Sequence, residues 1–262
     1  CAFNAQETVA RAIKSALAQS WPNIEIVVVD DHSTDNSLSL LEGCNLRNLR
    51  IINMPEEKFG KKNAIKMAVS IASGDIILAT DADCIFGTRW VRSMAGYFSN
   101  VNVKLVSAPV VLNRKNGFFQ TFQSLEFASL IGSGAGAIGI KNSIFCNGAN
   151  MAYRKEVFLE LNSFKIDSVV SGDDVFLLHS IKEKYPNSIF FSKDQDTIVT
   201  TDSAHSFIDF INQRKRWSAK SSSYKDRSTI YVSYLVFFTN LALIFLFSTL
   251  FFNSFLVKLF VL

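Results

Sequence analysis

From Ser228 to Val257 the chain carries no charged side chain, and Ile230 to Phe252 within it is almost wholly apolar. As a helix rising ~1.5 Å per residue, that inner stretch covers about 35 Å, against a hydrocarbon core of roughly 30 Å. A buried core helix is the competing reading. Such helices rarely stay uncharged for this length, so the run predicts a transmembrane helix. Just ahead of it stand Arg214, Lys215, Arg216, Lys220, Lys225 and Arg227. By the positive-inside rule, they put the preceding domain on the cytosolic side of the cytoplasmic membrane. The same basic run suits anionic headgroups. Membrane lipid is therefore an expected partner, and the formal net charge of +4 is no reason to expect nucleic acid.

Residues 1–227 are thus expected as a cytosolic domain and 228–262 as the membrane segment or segments. The chain starts at Cys1, where a first strand is already ending, and a second apolar run begins at Phe255. Both ends are expected to be truncated. Cys1, Cys44, Cys84 and Cys146 have neither metal-type spacing nor a pairing pattern, which fits a reducing compartment.

Ahead of the basic run, helix and strand patterns alternate. Asn4 and Glu7 have the spacing of a capping box, followed by Val9, Ala12, Ile13, Ala16 and Leu17 at helical intervals. Ile24 to Val29 reads as a strand covered on both faces. Ser33 or Thr34 is a candidate cap for a helix through Leu41 that ends at Gly43. A strand at Leu49–Ile52, a helix from Lys61 to Ala72 and a strand at Asp75–Thr80 follow. Gly132 to Gly139, rich in Gly, Ala and Ser, reads as a loop or tight turn. The alternation predicts an α/β fold with a doubly wound sheet, in which ligands sit beyond the carboxyl ends of strands. Two acidic clusters fall there: Asp30-Asp31 after the Ile24 strand, and Asp81-Ala82-Asp83 after the Asp75 strand.

Each motif alone is weak, since aspartates at strand ends commonly just face solvent. Their order carries more: Ala2-Phe3-Asn4, Asp30-Asp31-His32-Ser33-Thr34-Asp35, Gly60-Lys61, Asp81-Ala82-Asp83, Gly172-Asp173-Asp174 and Gln213-Arg214-Lys215-Arg216-Trp217. In this series the chain resembles the family 2 glycosyltransferases of the GT-A fold, the group that includes cellulose, chitin and hyaluronan synthases. The resemblance runs over nearly all of residues 1–217. It implies a mixed GT-A sheet, an inverting sugar transfer from a nucleotide-diphosphate sugar, uridine favoured, and a glycan or lipid-linked hydroxyl acceptor.

The resemblance also implies roles. Asp83 matches the aspartate that faces Mg²⁺ or Mn²⁺, ions suited to one or two carboxylates plus substrate phosphates. Asp81 matches the acid nearer the ribose and donor sugar. Asp31 lies where the family reads the pyrimidine ring, since a carboxylate accepts a hydrogen bond from a ring N–H. Asp30 supports that loop. Phe3, between Ala2 and Asn4, matches an aromatic beside the base. Lys61, at a helix start, meets the diphosphate or the base edge.

Asp174 occupies the place of the general base, the second acid of a pair whose first member is commonly Glu and here is Asp173. A helix-capping acid is the plainer reading of Asp174. Gln213, Arg216 and Trp217 share one helix face, with Arg for the diphosphate and Trp as an apolar platform for a sugar. An interfacial basic helix with a Trp is the plainer reading there. His32, His179 and His205 share no ligand spacing. Phe145 to Asn150 resembles the acceptor-side segment.

Two other functions compete. A sugar-phosphate nucleotidyltransferase is also α/β and metal-dependent, but needs a Gly-rich basic loop near its first strand, and none follows Cys1. A non-catalytic, membrane-tethered nucleotide-sugar-binding protein would not need Asp31, Asp83, Asp174 and Arg216 together.

Overall fold

The structure, a computed structural model, describes residues 1–44, 48–113, 116–161, 173–219 and 223–252. The elements run α1 (Val9–Leu17), β1 (Ile26–Asp30), α2 (Ser37–Glu42), β2 (Leu49–Asn53), α3 (Lys61–Ile71), β3 (Ile76–Ala79), β4 (Ile85–Phe86) and α4 (Trp90–Gly96). They continue through β5 (Leu105–Ser107), β6 (Val110–Leu112), α5 (Phe118–Gly139), β7 (Met151–Arg154), α6 (Lys155–Leu161), α7 (Asp173–Lys184), β8 (Ile189–Phe191), β9 (Val199–Thr201), α8 (Phe207–Ser218) and α9 (Arg227–Phe252). The chain divides into two compact units, Cys1–Lys220 and Ser221–Leu262.

In the first unit, β1 and β2 pair in parallel, β3-β7-β5-β8 form a mixed sheet, and β4-β9-β6 form a smaller one. Because β7 runs antiparallel to β3, with Ala79 opposite Met151, the carboxyl end of β3 and the residues just before β7 share one edge. This mixed α/β architecture is the expected one.

The β1–β2 pair and the β3 sheet are fastened at both ends of a gap. At one end the Glu25 carboxylate accepts the Ser73 N–H and hydroxyl, both at 2.7 Å, and pairs with Arg50 at 2.9 Å. The Ser73 N–H, then Arg50 and the hydroxyl, hold its pKa down at about 2. A depressed acid stabilises above its unfolded pKa, so this tie is complete above roughly pH 5 and is lost as pH falls towards 2. At the other end the first residues of α3 reach both sheets. Between the ties lies a cavity of about 710 Å³, walled by Ile26–Val29 on one side and Ile76–Ala79 on the other.

Three local expectations are corrected. Gly132–Gly139 is the last part of α5, not a loop. Glycine costs a helix about 1 kcal/mol relative to alanine, so packing must offset it. At Gly134 a Cβ would lie 3.0 Å from Phe145 Cδ1 and 3.2 Å from its carbonyl oxygen, so only glycine lets the helix lie this close to that segment. Asn4 does not cap α1. Thr8 precedes that helix without a side-chain cap, and the Asn4 side chain turns to Thr34 instead. The proposed caps of α2 also shift, to Asn36 at its start, while Gly43 ends it as expected.

In the second unit α9 matches the uncharged run, and Arg227–Thr249 is long and apolar enough to cross a membrane. Gly172 and the apolar run from Phe255 lie outside the described residues.

Asn150 joins the central and smaller sheets. Fully buried, it donates through Nδ2 to the carbonyls of Pro109 and Thr197, both at 2.7 Å, and accepts from Trp90 Nε1 at 3.0 Å. Asn150→Ala leaves the Trp90 indole N–H and the Thr197 carbonyl without this partner, while the Pro109 carbonyl keeps the Val199 N–H at 3.0 Å. At ~1–3 kcal/mol each, partly recovered by water, the loss should reach about 3–5 kcal/mol. Thermal unfolding should fall by well over 5 °C or give no folded protein; a shift within 2 °C would contradict this accounting.

Candidate active site

The acids that follow β1 are built into a double loop. Ala2, fully buried, donates its N–H to Val29 O at 2.8 Å, and its carbonyl accepts the Asp31 N–H at 2.8 Å. Residues 1–6 therefore lie along the β1 end. Asn4 Oδ1 accepts the Thr34 N–H at 2.8 Å, and the Asn4 N–H reaches Ser33 Oγ at 3.0 Å. Asp35 accepts the N–H groups of Gln6 and Ser37 at 3.1 and 2.9 Å. Phe3 is left 60% exposed on this frame. Asp30 is 3% exposed; its Oδ2 accepts the Ser33 N–H at 3.0 Å, while Oδ1 is buried without a hydrogen bond. Asp31 Oδ1 accepts the Gly60 N–H at 3.0 Å. His32 stacks on Phe59 with centroids 4.5 Å apart.

The start of α3 connects this loop to the second acidic cluster. Next to Gly60, the Lys61 Nζ pairs with Asp81 Oδ1 at 2.5 Å. Asp83 is exposed, and its Oδ2 accepts the Thr201 hydroxyl at 3.0 Å. That contact follows from register. Ile85 lies opposite Thr200 in the antiparallel β4–β9 pair, which carries Thr201 up beside the Asp83 loop. Burial, together with the charges of Asp81 and Asp83, pushes the Cys84 thiol far up, so it stays protonated and is no nucleophile.

Across the same edge, before β7, the Gly148 N–H donates to Asp174 Oδ2 at 3.0 Å. The Val175 N–H donates to Asp174 Oδ1 at 2.9 Å. Gly148, Lys61, Thr80 and Asp81 line one cavity, so Asp174 stands beside the wall that carries the second acidic cluster. Asp173 opens α7 as expected.

Gln213, Arg216 and Trp217 lie on α8, which is pinned to α5. Arg214 makes a two-pronged pair with Glu126, with Nε–Oε1 at 2.9 Å, and lies 4.3 Å over the Trp217 ring. Trp217 also meets Phe127, centroids 6.0 Å apart. Its ring is thus partly occupied by protein. The Gln213 carbonyl is held by Arg214, while Arg216 is exposed.

The profile of glycosyl transferase family 2 matches residues 1–161. The chain belongs to that family. The chain is 28% identical over 155 residues to poly-beta-1,6-N-acetyl-D-glucosamine synthase of Staphylococcus aureus, covering 55% of the chain and 36% of the relative. A glycosyltransferase of Haemophilus influenzae is 33% identical over 98 residues, covering 37% of the chain and 30% of that protein. The chain therefore spans about a third of the length of these curated relatives. Among solved structures, the mannosyltransferase PcManGT of Pyrobaculum calidifontis, in complex with GDP-Man and Mn²⁺, aligns with a TM-score of 0.65 at 19% identity, over 82% of this chain and 58% of that one. S. aureus TarS with UDP aligns at 0.56 and 18% identity, over 85% and 64%. These likenesses establish the GT-A fold.

Thr201, Glu126 and the Gly148 contact were not singled out from the sequence. Each partner lies far away along the chain, and Thr201 looks like any residue of a β-rich run. Only the register of β9, the packing of α5 and the turn before β7 bring them in.

Glu126→Gln removes the charge that holds Arg214, a half-buried pair worth about 1–3 kcal/mol locally. Amide exchange in α8 should rise roughly 5–100-fold, with β3 and β7 unchanged. Unaltered α8 protection would show that the pair does not pin the helix.

Proposed function

We propose that this glycosyltransferase moves a sugar from a uridine-diphosphate donor to a hydroxyl of a glycan or lipid-linked acceptor, in one inverting displacement. The observation that carries the reading is a shared cavity lining: Lys61, Asp81 and Gly148 border one cavity, and the Gly148 N–H holds Asp174. A donor bound along the acidic cluster then has an acceptor-side carboxylate one hydrogen bond from the wall of the same cavity.

In this reading the nucleoside lies on the loop of Ala2, Phe3 and Asn4, with the exposed Phe3 ring against the base. Asp31, one oxygen already fixed by Gly60, offers the other to the ring N–H, and Asp30 holds the loop from beneath. Lys61 and Arg216 supply cationic donors for the diphosphate, with Gln213 and Trp217 presenting the helix face beside them. Asp81 sits towards the donor sugar. Asp174 takes the proton of the acceptor hydroxyl as that oxygen attacks the anomeric carbon, which inverts its configuration.

A divalent ion fits the residues present. Among the described residues no three acids, His or Cys gather into a metal cage. The exposed Asp83 has Oδ2 oriented by Thr201, which suits Mn²⁺ or Mg²⁺ shared between one carboxylate and substrate phosphates. When bound, such an ion neutralises charge on the departing diphosphate. The Mn²⁺ in PcManGT and in glucosyl-3-phosphoglycerate synthase of Mycobacterium tuberculosis supports this reading. The UDP bound to TarS and the UDP-Glc bound to that synthase support uridine, whereas PcManGT carries GDP-Man.

The membrane reading rests on α9 and on an apolar face of α5 and α8. Phe118 is 90% exposed, Leu125 72%, Phe207 64% and Ile208 71%, more than a water-facing surface usually gathers in one place. With α9 in a cytoplasmic membrane and the basic run on its inner side, the catalytic unit is cytosolic. The full chain should remain in the membrane pellet after a high-salt wash. Phe118→Ser with Phe207→Ser should weaken binding of residues 1–227 to anionic vesicles severalfold. Equal vesicle binding would remove that face from the lipid.

Two substitutions separate donor from acceptor chemistry. Asp83→Asn should abolish Mn²⁺-dependent UDP binding measured by calorimetry. Asp174→Asn should keep donor affinity within a few fold while transfer falls by ~10²–10⁴. Full turnover in Asp174→Asn moves the base elsewhere. Loss of UDP binding by a folded Asp174→Asn puts that residue in the nucleotide site.

A further inference from the structure

We infer that Gly148 is a positioning residue for the Asp174 carboxylate, and that the missing side chain at position 148 is what lets the base stand where it does. The inference rests on Asp174 acting as the base.

Glycine has two separate uses in a fold: a backbone conformation that other residues avoid, and space for a close neighbour. At Gly148 only the second applies, because its backbone is outside the left-handed region. A Cβ there would lie 3.2 Å from both Cβ and Oδ2 of Asp174 and 3.4 Å from its Cγ. The neighbour is thus the Asp174 side chain, its Cβ as much as its carboxyl group.

The Gly148 N–H donates to Oδ2 at 3.0 Å and the Val175 N–H to Oδ1 at 2.9 Å, so rotation of the carboxylate breaks one bond or the other.

The turn that presents Gly148 is held on either side. Asn147 Oδ1 accepts the Ala149 N–H at 3.0 Å, and the Asn150 N–H closes onto the Asn147 carbonyl at 3.0 Å. Cys146, buried, adds its thiol to the Asp174 backbone carbonyl at 3.4 Å. Side chain and backbone of Asp174 are therefore both held by residues 146–148, and Gly148 also lines the cavity with Lys61 and Asp81. The distance from donor site to base is set through this turn.

Gly148→Ala keeps the N–H, meets no backbone obstacle, and displaces the carboxylate by a few tenths of an ångström. Misplacement of about 1 Å costs on the order of 100-fold in rate, so a few tenths should lower kcat about 3–6-fold, with donor KM unchanged within about twofold. The experiment is a double-mutant cycle on the full chain in vesicles. It compares Gly148→Ala, Asp174→Asn and the double variant by UDP release from UDP-N-acetylglucosamine or UDP-glucose, or GDP release from GDP-mannose, using whichever turns over fastest. If Gly148 acts through Asp174, adding Gly148→Ala to Asp174→Asn costs nothing further. An equal loss in both backgrounds, or wild-type kcat in Gly148→Ala, overturns the proposal.

Asp174→Asn at full turnover removes the base assignment. An idle Asp174→Asn beside a fully active Gly148→Ala removes the positioning role alone. Amide exchange gives a readout independent of substrate. The Val175 amide should exchange faster in Gly148→Ala while β7 is unchanged, and unchanged Val175 protection counts against the contact.

Discussion

The amide of Asn150 sits where three parts of the first unit, Cys1–Lys220, meet, and each of its polar atoms has a hydrogen-bond partner. Its side chain holds the β5–β6 connection through Pro109, the approach to β9 through Thr197 and the start of α4 through Trp90. Its backbone carbonyl accepts the Ala108 N–H at 3.1 Å, and its own N–H closes the turn from Asn147. In a buried setting each of these bonds matters because the unpaired alternative is costly. Site and scaffold are joined here: the residue before β7 that locks two sheets together also ends the turn that meets Asp174. Thr197 leads into β9, whose Thr201 orients Asp83. A single fixed amide thus constrains the approach to both candidate chemical groups.

The start of α3 carries out the corresponding task on the donor side. The Gly60 N–H and the Lys61 ammonium are adjacent in the chain, yet they take acids from different sheets, Asp31 after β1 and Asp81 after β3. The arrangement suits a polyanionic ligand. A helix N-terminus and a lysine already lie together, and the lysine, about a third exposed, gives up only a partly solvated pair when phosphate arrives. The Glu25 tie at the opposite end of the gap is fixed more firmly, with backbone and hydroxyl donors on one carboxylate.

Legibility in the sequence followed the range of the interaction. The strands before Asp30 and Asp81, and the uncharged helix, show in local pattern because each is decided by side chains close together in the chain. The order of the acidic motifs and the family resemblance were legible for the same reason. The misreadings at Gly132–Gly139 and Asn4 have one cause: local preference gave way to distant partners. Gly132–Gly139 looks like a turn by composition, and becomes helix because Phe145 packs against Gly134. Asn4 looks like a cap for the next helix, and instead binds a loop thirty residues on through Thr34. Thr201 reaching Asp83 and Gly148 reaching Asp174 depend on strand register and a turn, which no local window contains.

The Gln213–Trp217 helix illustrates how one motif divides its charges. Arg214 is committed to structure, held by Glu126 and laid over both Phe210 and Trp217. Stacked and two-pronged, it is the kind of arginine that lysine would not replace. Two positions on, Arg216 remains exposed and available to an anion. Neighbouring basic residues would ordinarily repel each other and blur which one meets the ligand. Here the Glu126 carboxylate neutralises the first, so the local positive field is left with Lys215 and Arg216. The buried Gln123 amide adds to this by pairing with Ala204 through both its oxygen and nitrogen, which fixes the chain entering α8 against α5. The aim of Arg216 is then set by a helix clamped at its entry and at its middle. That rigidity would serve the diphosphate role proposed for Arg216, a cation on a long and otherwise flexible side chain.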